Sequence, residues 1–233
     1  MSPGDTTSVL RQAFERCRSM DGSLKDRLAH YAAESAKVLP AYGEAVDRLV
    51  ARINENGGGG GAPKPGEPMP PFLLPDESNN LVGLDGVRAQ GPVAVVFHRG
   101  HWCPYCRLNM NALVRARSQI AASGGQVVII TPERQRFARA FKADSGAPFP
   151  ILTDLDNGYA LSLNLAIWLG PDFQELLAAT NLPEFHGNNA WMVPIPATFV
   201  VGRDGLVKAR HVDPDYRRRM AIDDLLAALK AAA

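Results

Sequence analysis

Cys103 and Cys106 form a Cys-x-x-Cys pair inside the stretch Val-Ala-Val-Val-Phe-His-Arg-Gly-His-Trp-Cys-Pro-Tyr-Cys-Arg-Leu-Asn-Met, residues 93–110. The β-branched run 93–97 reads as a buried strand, Gly100 breaks it, and the pair opens an amphipathic stretch. The cysteines therefore stand where strand gives way to helix. At such a junction the first sulfur meets unpaired backbone N–H groups and the positive end of the helix dipole, both of which favour thiolate over thiol. Arg99 and Arg107 act in the same direction. Residues i and i+3 of a helix lie roughly 5–6 Å apart at Cβ, so a disulfide closes with small backbone adjustment. A dithiol/disulfide cycle is the reaction this spacing supports. The competing chemistry is metal binding, with His98 and His101 joining the two thiolates around zinc or copper. Structural zinc sites usually take a second ligand pair from elsewhere in the chain. No second Cys-x-x-Cys and no His-x-x-x-His occurs, so redox is the preferred reading and no metal site is assigned.

The chain around this pair has 233 residues, enough for one α/β domain of about 150 residues with an appendage. A formal net charge of +1 provides no field for nucleic acid or an anionic membrane, and neither partner is expected. The N-terminus lacks a basic region followed by an apolar one, and no run of about 18 apolar residues occurs. A soluble cytoplasmic protein is the expectation. Three cysteines, Cys17 being the third, make no disulfide framework. Cys17 falls on an apolar helical stripe with Val9, Leu10, Ala13 and Phe14 and reads as core.

Residues 1–56 carry helical periodicity and form an N-terminal arm, with Ser23 as a helix cap and Pro40 as an interruption. Residues 57–71, rich in Gly and Pro, read as a linker that is flexible at first and stiffer later. Residues 72–233 then make the redox domain. Strand candidates at 72–74 and 81–84 flank a turn, followed by the strand at 93–97 and a helix to about residue 122. A continuous apolar run at 127–131 fits a parallel strand covered on both faces. Pro132 and Glu133 suit the first turn of the next helix. A short strand reaches Thr153, and Asp154 or Asp156 caps a helix beyond it. The aperiodic stretch 181–195 is a candidate lid or homodimer contact. Strands at 198–201 and 206–211 flank Gly-Arg-Asp-Gly, a hairpin signal, and a helix over 217–230 closes the chain. In that last helix the cluster Arg217-Arg218-Arg219 reads as a solvated start.

The Trp-Cys-Pro-Tyr-Cys turn after an apolar strand, the Pro-Ala-Thr-Phe-Val-Val run with its Gly-Arg-Asp-Gly hairpin, and the element order between them resemble the thioredoxin superfamily. The longer spelling Phe-His-Arg-Gly-His-Trp-Cys-Pro-Tyr-Cys resembles its peroxiredoxin-like branch, related to alkyl hydroperoxide reductase and thiol-specific antioxidant proteins, over residues 68–230. The resemblance implies an α/β thioredoxin-like fold, a central mixed sheet flanked by helices, here with the N-terminal helical arm added. It also implies a thiol peroxidase that needs no cofactor. Cys103 attacks the peroxide and becomes a sulfenic acid, and Cys106 condenses with it. Thioredoxin, glutaredoxin or a small thiol then reduces the disulfide. Arg99 and the backbone N–H groups at the helix start are nominated to polarise the peroxide. Trp102, Tyr105 and His101 are candidates to line its binding site. Pro196 aligns with a proline that is commonly cis in this superfamily, and a cis Ile195–Pro196 bond is expected. The chain departs from the peroxiredoxin spelling Pro-x-x-x-Thr-x-x-Cys at Val96 and Gly100. It also has Pro196 where that family carries an arginine. These departures keep open a thioredoxin-like disulfide oxidoreductase.

Overall fold

The computed structural model describes residues 3–233. Three amphipathic helices come first, α1 (Pro3–Ser19), α2 (Leu24–Val38) and α3 (Pro40–Glu55). At the start of α2 the Ser23 hydroxyl accepts the Asp26 N–H at 3.1 Å while the Asp26 carboxylate accepts the Ser23 N–H at 3.3 Å, a capping box. Pro40 opens α3, where its missing N–H costs no hydrogen bond. The apolar faces of the three helices, including Phe14, Leu28, Tyr31 and Leu49, enter the main core rather than forming their own. Cys17 is fully buried among them, as its stripe predicts.

The glycines at 57–61, expected to act as a flexible tether, lie against the body instead. Gly59 N–H donates to the Asn164 carbonyl at 2.9 Å, and a Cβ at Gly59 would run into Val212 at 2.7 Å. The chain can pass there only without a side chain, which is the physical role of this glycine. Ala62 and Met69 are buried further along, and Met69 N–H bonds the Gly205 carbonyl at 2.9 Å.

A short hairpin follows, β1 (Leu73–Pro75) and β2 (Leu81–Gly83), its turn held by the Asp76 carboxylate accepting the Ser78 and Asn80 N–H groups. Then come α4 (Leu84–Arg88), β3 (Val93–Phe97), α5 (Pro104–Arg115), α6 (Arg117–Ala122), β4 (Gln126–Thr131), α7 (Gln135–Ser145) and β5 (Ile151–Thr153). The second half holds α8 (Gly158–Ser162), β6 (Ala166–Trp168), α9 (Pro171–Leu176), α10 (Leu182–His186), β7 (Met192–Pro194), β8 (Ala197–Val201), β9 (Val207–Val212) and α11 (Ile222–Ala231). Five strands form one mixed sheet in the order β5-β4-β3-β8-β9. β3 is parallel to β4 and antiparallel to β8, so it lies at the centre. Every residue of β3 is buried, and its side chains alternate between two cores. Val93, Val95 and Phe97 face the arm and α5, while Ala94 and Val96 face Ile129, Phe141 and Leu225. This central strand, anchored on both faces, aims its C-terminal end and the turn beyond it.

Three expectations are corrected. The Ile195–Pro196 bond is trans, since no cis peptide occurs among the described residues. Ile195 N–H is tied to the Leu165 carbonyl at 2.7 Å between β7 and β8, and the trans form is the ordinary minimum of an X–Pro bond. The stretch 181–195 is not structureless, because α10 and β7 lie within it and β7 pairs with β6. The last helix begins at Ile222 rather than Arg217. The Asp213 and Asp215 carboxylates accept the Asp215 and Arg217 N–H groups and wind residues 213–218 into turns.

Candidate active site

Cys103 is the N-cap residue of α5 and Pro104 its first helical residue, so the pair sits where the sequence places it. Both sulfurs are free thiols, and both are buried, Cys103 at 1 % and Cys106 at 0 % relative exposure. Donors converge on Cys106: the Arg99 backbone N–H reaches its Sγ at 3.3 Å and the Arg219 guanidinium reaches it at 3.6 Å. The two cysteines share a proton. Burial, and then the hydrogen bond to its partner, push the Cys103 thiol well above the usual range. Burial alone would raise Cys106 too, yet the Cys103 thiol, His98, Arg219 and the Arg99 amide hold it well below that range. The surroundings therefore favour a thiolate at Cys106 over one at Cys103.

Arg99 is the site's unusual feature. Its side chain is 1 % exposed, and none of its three guanidinium nitrogens has a hydrogen-bond partner. Aromatic faces hold it instead: the Tyr216 ring lies 4.1 Å and the Trp102 ring 4.9 Å from its guanidinium carbon. Burial opposes the charge, and the nearby Cys103, ahead of Tyr216 and Tyr42, outweighs that cost. A buried cation without a paired anion is expensive, so this one is poised for negative charge at the Cys103 sulfur.

The other residues predicted for the site divide. Trp102 belongs to it, with its indole N–H donating to the Arg99 carbonyl at 3.0 Å. Tyr105 is buried in an aromatic cluster, edge-on to Tyr31 at 5.2 Å and Tyr216 at 5.3 Å, so it supports the wall of the site. The His101 ring stacks on Phe141 and its Nε2 meets Asp144 at 3.0 Å. His98 donates from Nε2 to Asn109 Oδ1 at 2.9 Å, and burial lowers its pKa. Pro196 is buried at the entry to β8, with a trans bond.

Four residues of this neighbourhood are not identified by sequence pattern. Glu133, expected in a helix's first turn, precedes α7 and is fully buried; its Oε2 accepts the His101 N–H at 2.8 Å, and Oε1 has no partner. Burial pushes its carboxyl up to about 8. It follows β4, the parallel neighbour of β3, and the ends of adjacent parallel strands share one crevice, which is the signal that points to it. His186, from the aperiodic stretch, is buried near the Trp102 ring, and burial pushes it down to about 4. Tyr42 of α3 reaches in from the arm, its hydroxyl 2.9 Å from that of Tyr216. Arg219, expected on a solvated helix, is the Cys106 donor described above.

A Cys-x-x-Cys pair at the N-terminus of a helix, presented by the central strand of a mixed sheet, defines a thioredoxin-fold thiol redox protein. Residues 65–210 match the AhpC/TSA family, and the chain belongs to it. Two sequences from strains of Mycobacterium tuberculosis that bear the name peroxiredoxin are each 28% identical over 143 residues, 61% of this chain and 81% of theirs. Among solved structures, the peroxidoxin BcpB of M. tuberculosis aligns with a TM-score of 0.58 at 20% identity, covering 73% of this chain and 99% of its own. The Plasmodium vivax 2-Cys peroxiredoxin aligns with a TM-score of 0.54 at 15% identity, covering 71% and 80%. Both likenesses are of fold. Tyr42, Tyr216 and Arg219 lie outside the family-matched residues.

Proposed function

We propose that the protein is a thiol peroxidase that reduces hydrogen peroxide or organic hydroperoxides, with Cys103 as nucleophile and Cys106 as resolving thiol. The observation that carries this reading is the unpartnered, buried Arg99 guanidinium beside Cys103. In the proposed cycle the shared proton passes from Cys103 to Cys106. The Cys103 thiolate attacks one peroxide oxygen, the O–O bond breaks, and Cys103 becomes a sulfenic acid while the departing RO⁻ takes a proton from water. Arg99 stabilises that developing charge in a dry site, where a positioned donor is worth about 10²–10³ in rate. It thereby fills the role of the arginine that the family carries at the place of Pro196. The Cys106 thiol next attacks the sulfenic sulfur, its proton leaves with the hydroxyl as water, and the disulfide forms. Thioredoxin, glutaredoxin or a small thiol regenerates the dithiol by exchange.

The test is a sulfenic-acid trap applied to Cys106→Ser after one equivalent of peroxide. The adduct is expected on Cys103, and Arg99→Met in the same background should slow its formation about 10²-fold or more. An adduct on another cysteine, or an Arg99→Met rate equal to that of the parent, would remove the basis of the proposal. A disulfide oxidoreductase without peroxide chemistry is the second reading, favoured by Val96 and Gly100 at the places of the family's Pro and Thr. It requires rapid reduction of insulin disulfides together with an ordinary thiol's rate toward peroxide.

A further inference from the structure

A cavity of about 560 Å³ opens between α2 and the turns that precede α11. Its apolar lining comes from Leu28 and Ala32 of α2 and from Met220. Cationic side chains line it as well, Lys25 from α2 and Arg210, His211, Arg217, Arg218 and Arg219 from the segments facing that helix. Two acids also line it, and one of these is already engaged. Asp215 is bound by Arg217 at 2.8 Å and by Arg218 at 3.6 Å, which leaves Asp224 as the second. Arg219 and Arg210 have no carboxylate partner among the described residues. Arg219 Nε and His211 Nε2 are buried, line this cavity and have no hydrogen-bond partner. An orphaned guanidinium N–H and an unpartnered imidazole nitrogen in a concave site with apolar lining are what a ligand with a charged head and an apolar body satisfies.

We infer that this cavity is a binding site for an amphipathic monocarboxylate, its head between Arg219 and His211 and its hydrocarbon chain along Leu28, Ala32 and Met220. Arg210, which also donates to the Ala62 and Pro63 carbonyls, and Lys25 add positive charge, and Asp224 is the carboxylate that offsets part of it. The site is coupled to the thiols through one side chain, because Arg219 also holds Cys106 Sγ at 3.6 Å. A carboxylate on Arg219 competes with that sulfur for the guanidinium, so occupancy of the cavity is felt at the cysteine pair. Binding itself does not depend on the peroxidase reading; its consequence for turnover does.

The probe is decanoate, titrated calorimetrically into the reduced full-length protein, with decanol as the uncharged control. Decanoate should bind at least about ten-fold more tightly than decanol, since a charge-assisted pair carries more than the free energy of one decade. Ala32→Trp fills the apolar wall without touching a charge, and His211→Gln removes one head-group contact. Both should weaken decanoate about ten-fold or more while the circular dichroism stays native. Equal affinity for decanoate and decanol, or wild-type affinity in a folded Ala32→Trp, overturns the inference. Two further arms identify where the carboxylate comes from. If saturating decanoate raises the apparent pKa of the thiolate absorbance near 240 nm, the carboxylate is a free effector. If a fatty-acid hydroperoxide is reduced faster than an uncharged alkyl hydroperoxide of equal length, and Ala32→Trp erases only that advantage, the carboxylate is the substrate's own. A protein that binds decanoate but leaves every peroxide intact would keep this site and remove the peroxidase reading.

Discussion

Glu133→Gln is the substitution whose effect follows most directly from the geometry. The carboxyl is fully buried behind the Cys-x-x-Cys turn, close enough that a Cβ at Gly100 would stand 2.5 Å from it. Its pKa rises from 4.5 to about 8 on folding, chiefly through burial. Below pH 4.5 both folded and unfolded chains hold the proton and the group contributes nothing to the pH dependence. Between pH 4.5 and 8 the folded chain keeps a proton that the unfolded chain releases, so each unit of rising pH costs about 1.4 kcal/mol of stability. Above 8 both forms are ionised and the penalty is complete. With no exposure there is no solvent screening to discount. From pH 5 to pH 7 the loss attributable to this one group is roughly 2–3 kcal/mol. Burial lowers the pKa of His98, His101, His186 and His211, which tilts the profile the opposite way, so the difference between wild type and variant is the quantity to read. Glutamine keeps the acceptor for the His101 N–H and cannot ionise. Urea unfolding of the reduced protein at pH 5 and pH 7 should show Glu133→Gln gaining on wild type by that amount across the interval. Parallel pH profiles for the two proteins would refute the reasoning.

Other outcomes are expected at neighbouring positions. Gly100 sits at φ +135° with Glu133 and the Trp102 indole nitrogen packed against it, so Gly100→Ala should cost about 1–3 kcal/mol in chemical denaturation. Tyr42→Phe removes only the hydroxyl that bonds Tyr216 at 2.9 Å. One such bond is worth about 1 kcal/mol, so urea unfolding should show Tyr42→Phe destabilised by about that amount, and an unchanged stability would show that the bond contributes nothing. Arg219→Met withdraws a cation from Cys106, and the thiolate transition at 240 nm should move upward by about one unit or more. An unchanged titration would show that Arg219 does not set the charge on Cys106.

The regular part of the site is legible in the sequence because its signals are local. The valine run of β3, the glycine break and Pro104 at the head of α5 place both sulfurs at a strand-to-helix junction, and the structure puts them there. The rest depends on partners distant in sequence. Glu133 reads as an ordinary acid in a helix's first turn, and only the pairing of β3 with β4 brings it behind the thiols. Arg217, Arg218 and Arg219 read as a solvated cluster, because the Asx turns at Asp213 and Asp215 that turn Arg219 inward compete locally with helix and leave no periodic trace. His101 lies two residues from Cys103 in sequence, and its contacts with Phe141 and Asp144 of α7 are tertiary and leave no local signal. Nor does the glycine run at 57–61 announce its packing, since the close approach to Val212 that demands Gly59 is a tertiary contact.

The central claim is that this buried pair activates peroxide at Cys103. Pre-reduced protein mixed with hydrogen peroxide in a stopped-flow instrument, followed by tryptophan fluorescence with Trp102 as the adjacent reporter, tests it most directly. Oxidation orders of magnitude faster than that of a free thiol, abolished in Cys103→Ser, is the predicted result. A rate no greater than an ordinary thiolate's would contradict the account and leave disulfide exchange as the chemistry of the site.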